Sequence, residues 1–191
     1  MTAAILGALV VVWVWQTHKP WRDIGYVRPR SWVRTITIAI LLGAVFKLVM
    51  KAVVMPILGA DPINQPYHYL VGNPAAAVEA VFAVIIFAGF GEETFFRGFL
   101  FERLGKLLGS GALAKVTIVL VTSVLFGLAH YADQGIAGVQ QAMITGLTFG
   151  TIFAVTGSLF PLMIAHAAFD VAAIAIIYWD LESKVAHLIF S

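Results

Sequence analysis

The stretch Val81-Phe-Ala-Val-Ile-Ile-Phe-Ala-Gly-Phe-Gly-Glu-Glu-Thr-Phe-Phe-Arg97 decides how this chain is read. It opens as an uninterrupted apolar helix and then places three ionisable side chains, Glu92, Glu93 and Arg97, inside the same segment. A second apolar stretch, Pro161-Leu-Met-Ile-Ala-His-Ala-Ala-Phe-Asp170, does the same with His166 and Asp170. A charged group at bilayer depth costs about 2.5–3.5 kcal/mol on insertion scales, so five such groups in two apolar segments mark a polar centre within a membrane bundle.

Composition agrees with a membrane bundle. Hydrophobic residues make up 61% and charged residues 12% of 191, with mean hydropathy +0.94, against roughly 45–50% apolar and about 25% charged in soluble domains. Apolar stretches over 3–15, 35–58, 75–101, 116–130, 138–155 and 159–179 predict an all-α, polytopic transmembrane bundle of about six helices. The first stretch is short for a crossing. It lacks a basic leader and a small-residue cleavage site, so it reads as an anchor rather than a removed signal. Residues 1–74 are expected to supply N-terminal helices and a basic loop, 75–180 the helical core, and 181–191 a tail. Cysteine is absent, which excludes disulfides, thiolate metal sites and a Cys nucleophile. A net charge of +2 gives no basis for a nucleic-acid partner.

Loop cations set an orientation. Lys19, Arg22, Arg28, Arg30 and Arg34 follow the first helix, and Arg103, Lys106 and Lys115 follow the third, whereas 61–74 and 131–137, both read as loops, carry no Lys or Arg. The positive-inside rule places the basic loops in the cytoplasm of a multi-pass cell-membrane protein and both termini outside. Trp13, Trp15, Trp21 and Trp32 flank the first basic loop as an interfacial belt would. Lys47 and Lys51, near the outer end of the second helix, are expected to snorkel to the interface.

Three patterns carry the chemistry. Glu93 and Arg97 stand one helical turn apart with the acid first, the favourable order for an ion pair. Glu92 points about 100° away and keeps no local partner, which suits it to take a proton from water. His130 follows Phe126 by one turn. His166 and Asp170 share a helix face, where an acceptor beside the imidazole can fix its tautomer. With the helix limits above, Glu92 and His166 would lie roughly 9–14 Å and His130 about 20 Å above the cytoplasmic end, so tilt, a fourth helix that begins later, another lower boundary of the third helix or the opposite orientation must bring them level.

Together, Glu-Glu-x-x-x-Arg at 92–97, Phe-x-x-x-His at 126–130 and His-x-x-x-Asp at 166–170 resemble the CPBP family of intramembrane proteases, which includes CAAX prenyl endopeptidases and bacteriocin-processing or immunity proteins. The resemblance covers roughly 75–179. It implies that Glu92 activates water with His130, that His166 and the residue at 170 steady the oxyanion, and that Glu93 and Arg97 are a supporting pair. It also implies a membrane lipid environment and a peptide or lipidated protein substrate. Family members often have Asn where this chain has Asp170. Either Asp170 is protonated and donates to the oxyanion, or it orients His166.

No cofactor is required by this residue set, because a Glu base and His donors suffice for hydrolysis. Glu92, His130 and His166 are also the set that could hold a divalent metal such as Zn2+ with one open position. The chain has no HExxH pair. Two other functions are open to buried acids and histidines. A proton-coupled transporter would be expected to show matched, interrupted halves, which this chain lacks, and a non-catalytic scaffold or immunity protein would bind without cleaving.

Overall fold

The computed structural model describes residues 2–190. Seven helices order the chain: α1 Thr2–Gln16, α2 Trp32–Ile57, α3 Pro74–Leu108, α4 Ala112–Ala129, α5 Tyr131–Thr156, α6 Phe160–Tyr178 and α7 Glu182–Ala186. Short 3₁₀ turns lie at Trp21–Ile24 and Gln65–Leu70, and the described residues contain no strand. Five helices, α2 to α6, are long and apolar enough to cross a membrane, and α1 is a shorter apolar helix of 15 residues. The all-α bundle of about six apolar helices is therefore the observed architecture. Its outer surface keeps Ile38, Leu41 and Val45 of α2, Phe82 and Ile86 of α3, and Leu120, Val124 and Leu128 of α4 exposed, a coat suited to lipid tails.

The helices pack through small residues, since apolar side chains gain nothing by leaving lipid and close backbone approach must supply the attraction. α2 lies along α6, α4 along α5, and α1 against the middle of α3. At the first crossing a Cβ on Gly43 would stand 2.0 Å from the Ala165 carbonyl oxygen. At the third, a Cβ on Gly91 would stand 2.6 Å from the Ala3 carbonyl oxygen. Neither position has room for a methyl group.

Several features differ from the sequence expectation. α3 continues to Leu108 instead of ending near 101. Its last turns leave the apolar layer but remain helical because Glu102, whose side chain is 5% exposed, gathers Lys19 (3.3 Å), Lys106 (2.6 Å) and Arg103 around it. An apolar scan stops where those charges begin. This later end brings Glu92 level with His130, 16 residues from Leu108 and 18 from Ala112, while His166, six residues from Phe160, reaches them because α6 begins beside Gly98, partway along α3. Within α3, Ile85–Leu100 is wound as a π-helix, a wide turn that is rare and frequent at functional sites.

The segment 131–137, expected as a loop, is helical and bends at Gly135, whose φ of 61° and ψ of −156° suit glycine alone. Lys47 and Lys51 do not snorkel outward. Lys47 is 6% exposed and donates to Gln141 Oε1 at 2.9 Å, and Lys51 pairs with Glu182 Oε1 at 3.1 Å. The reason lies in the tail: α7 folds back and buries Glu182, which also accepts from the Asn64 amide at 3.0 Å.

Candidate active site

Three elements deliver the polar centre. The wide part of α3 carries Glu92, Glu93 and Arg97, the end of α4 carries His130, and α6 carries His166 and Asp170. α3 and α6 are held in register low in the bundle, where a Cβ on Gly98 would lie 3.3 Å from Leu159 Cδ1. Glu92 sits six residues along α3 from that contact and His166 seven along α6, so the two side chains reach the same level.

Glu93 organises the interior. It is fully buried, and its Oε1 accepts from Arg97 Nη1 at 2.9 Å and from His166 Nδ1 at 2.6 Å. Because a carboxylate oxygen can only accept, Nδ1 of His166 carries a proton and Nε2 is the nitrogen left for chemistry. That Nε2 lies 3.8 Å from Glu92 Oε2 and 3.8 Å from Asp170 Oδ2. Both separations exceed hydrogen-bond length. The side-chain hydrogen bond to His166 thus comes from Glu93 and not from Asp170. The spacing of 166 and 170 puts the two on one face, but the acceptor that fixes the imidazole comes from another helix, and a single-helix pattern cannot reveal it.

Arg97 is wedged among aromatic faces. Its guanidinium lies 4.5 Å from the Phe126 ring centroid and 6.0 Å from that of Phe149. The same two rings meet His166 edge-on, at 5.9 Å and 5.5 Å. Phe126 also meets His130 at 4.7 Å, and its carbonyl accepts from His130 Nδ1 at 2.8 Å. In neutral His130 this leaves Nε2 as an acceptor. Phe126 was visible in sequence as the aromatic before the histidine. Phe149 was not, since nothing in its own helix marks it.

A cavity of about 370 Å³ receives the remaining groups: Glu92, His130, His166 and Asp170 all line it, whereas Glu93 and Arg97 stand behind its wall. Glu92 Oε2 and Glu93 Oε2 are buried without a hydrogen-bond partner. The Glu92 side chain as a whole is 19% exposed and lines the cavity, where a carboxylate is a ready acceptor for water. At the rim, burial pushes the Tyr67 phenol up from its ordinary value, and the charge of Asp170 adds to this, so it stays a neutral hydroxyl. Among the described residues no group of three or more His, Cys, Asp or Glu side chains is arranged to hold a metal ion.

Comparison with curated proteins and with solved structures gives no match. Residues 74–172, just over half of the chain, match the family model described as type II CAAX prenyl endopeptidase Rce1-like. The matched stretch contains the whole polar centre, from Glu92 to Asp170. The chain therefore belongs to the Rce1-like family of type II CAAX prenyl endopeptidases, a family of membrane peptidases.

Proposed function

We propose that the protein is an intramembrane endopeptidase that hydrolyses a membrane-associated, lipidated peptide with Glu92 as general base. The observation that carries this reading is the Glu92 carboxylate, which lines one cavity with His130 and His166 and has its buried Oε2 3.8 Å from His166 Nε2. Water entering that cavity donates to Glu92 and to the acceptor nitrogen of His130. Glu92 takes one proton as the oxygen attacks the scissile carbonyl carbon, and His166, when Nε2 also carries a proton, donates to the oxyanion that forms. Collapse of the intermediate breaks the C–N bond, and the proton held by Glu92 passes to the leaving amine. Glu93 and Arg97 keep His166 turned toward the carbonyl throughout. Asp170, beside the same Nε2, borders the oxyanion position without holding the imidazole.

The mechanism needs no metal, since base, donor and orienting acceptor are all side chains. A chelator should leave the rate unchanged, and loss of rate restored by added Zn2+ would contradict this part of the reading. The basic loops are placed in the cytoplasm by the positive-inside rule. The direct test is incubation of purified protein in lipid vesicles with a farnesylated peptide in H₂¹⁸O. The new carboxylate should carry one ¹⁸O from solvent. A peptide that is bound but never cut would make the protein a scaffold.

A further inference from the structure

Lys47 is a buried cation to which the mechanism gives no task. It lies on α2, 6% exposed, and its ammonium sits 4.8 Å from the Phe169 ring centroid with Gln141 Oε1 as its hydrogen-bond acceptor at 2.9 Å. An ammonium has three donors, and one neutral amide oxygen uses one of them. Among the described residues no carboxylate lies within 4.0 Å of it; Lys51, one turn on, takes Glu182. Burying a charge without a charged partner is costly, and such a group lining a cleft is a candidate for ligand binding.

Its place in the fold says what that ligand is. Lys47 lines the catalytic cavity and also a second, larger cavity of about 510 Å³, bounded by the 55–66 segment, the bend of α5 and the folded-back tail. Gln134 and Gln141 line both as well, so the two spaces adjoin through polar side chains. The larger one falls within the usual range of ligand sites. The acids that share these cavities with Lys47 are Glu92, Asp133 and Asp170 on the catalytic side and Asp61 and Glu182 on the other, and His187 is the remaining titratable group of the larger cavity beside Lys51. Glu182 is engaged by Lys51 and the Asn64 amide, and Asp61 by the Ile63 amide at 2.7 Å. The family's substrate class is a peptide whose lipidated cysteine is followed by three residues and a free α-carboxylate.

We propose that Lys47 is the receptor for the C-terminal α-carboxylate of the substrate, and that the larger cavity accepts the residues leading to it. Resting on the endopeptidase reading above, this makes Lys47 a specificity residue: it selects peptides that end a few residues beyond the lipidated cysteine. An internal sequence, or a blocked terminus, leaves the ammonium unpaired.

The test separates binding from cleavage. In the Glu92→Gln background, which cannot turn over on the present mechanism, vesicle-reconstituted protein is titrated with a farnesylated Cys-Val-Leu-Ser peptide ending in a carboxylate or a carboxamide. The carboxylate should bind about 10- to 100-fold tighter, the scale of a hydrogen bond to a charged group. Adding Lys47→Met, close in shape and uncharged, should reduce the ratio to about one with the carboxamide affinity unchanged, and Lys47→Arg should restore most of it. Equal affinities in the Lys47 protein, or a ratio that survives Lys47→Met, would overturn the proposal. Because the readout is affinity, failure of hydrolysis in the native protein would count against the endopeptidase reading alone.

Discussion

Glu92 and Glu93 are adjacent in sequence and separate completely in environment. Glu93 Oε1 is shared by Arg97 and His166 in the interior, while the Glu92 side chain, 19% exposed, lines the cavity. Removing Arg97 takes the guanidinium from the buried Glu93 and leaves it only the His166 bond, so Arg97→Ala should cost about 3–5 kcal/mol of stability, measured as a lowered midpoint of unfolding in detergent. A midpoint within about 1 °C of the native value would mean that the pair adds nothing. Asp170 and Glu93 are distinguished in the same way. Since Glu93 holds His166 and Asp170 stands 3.8 Å off, Asp170→Asn should change the cleavage rate by less than about tenfold, whereas Glu93→Gln, which weakens the orienting bond, should lower it by about a hundredfold or more. The reverse ranking would return the orienting role to Asp170.

At the scale of elements, the site depends on backbones that touch. Gly43 of α2 meets the carbonyl of Ala165, the residue before His166, so a methyl group there must push α6 and its histidine aside. Gly43→Ala should destabilise by about 1–3 kcal/mol and lower activity together. Gly105, in the lower part of α3, has open space for 4 Å around the point where a Cβ would stand, so Gly105→Ala should be neutral or stabilising by about 0.4–1 kcal/mol. Unfolding midpoints of the two variants check the contrast. Much of this arrangement was legible in the sequence. Apolar runs gave six helices nearly in place, and the one-turn spacing of Glu93 and Arg97 gave their ion pair. What escaped was set by contacts between elements: α3 runs on past 101 because Glu102 is paired from another segment, His166 is fixed by an acid on α3, and Lys47 turns inward toward Gln141 on α5. The kink at Gly135 escaped for a different reason, since a glycine among polar residues signals a loop and a bent helix alike.

For the whole molecule, α2 fixes direction: it leaves the basic segment at one end of the bundle and delivers Lys47, Lys51 and the larger cavity toward the other. The positive-inside rule would put the basic loops in the cytoplasm and that cavity toward the external side. The absence of cysteine makes this directly measurable. In intact cells, Asp61→Cys should react with a membrane-impermeant maleimide and Arg28→Cys only after permeabilisation; the opposite pattern would invert the bundle. The central claim is that a single carboxylate, Glu92, supplies the base without contributing to the fold. It is tested most directly by measuring, on one preparation of Glu92→Gln, both the unfolding midpoint and the rate of cleavage of a farnesylated peptide in vesicles. The account predicts a midpoint within about 2 °C of the native protein's, since a change within about 0.5 kcal/mol moves a chain of this size little, with cleavage reduced by at least about 10²- to 10⁴-fold. A variant that still cleaves at a near-native rate, or that loses activity only because it unfolds, would contradict it.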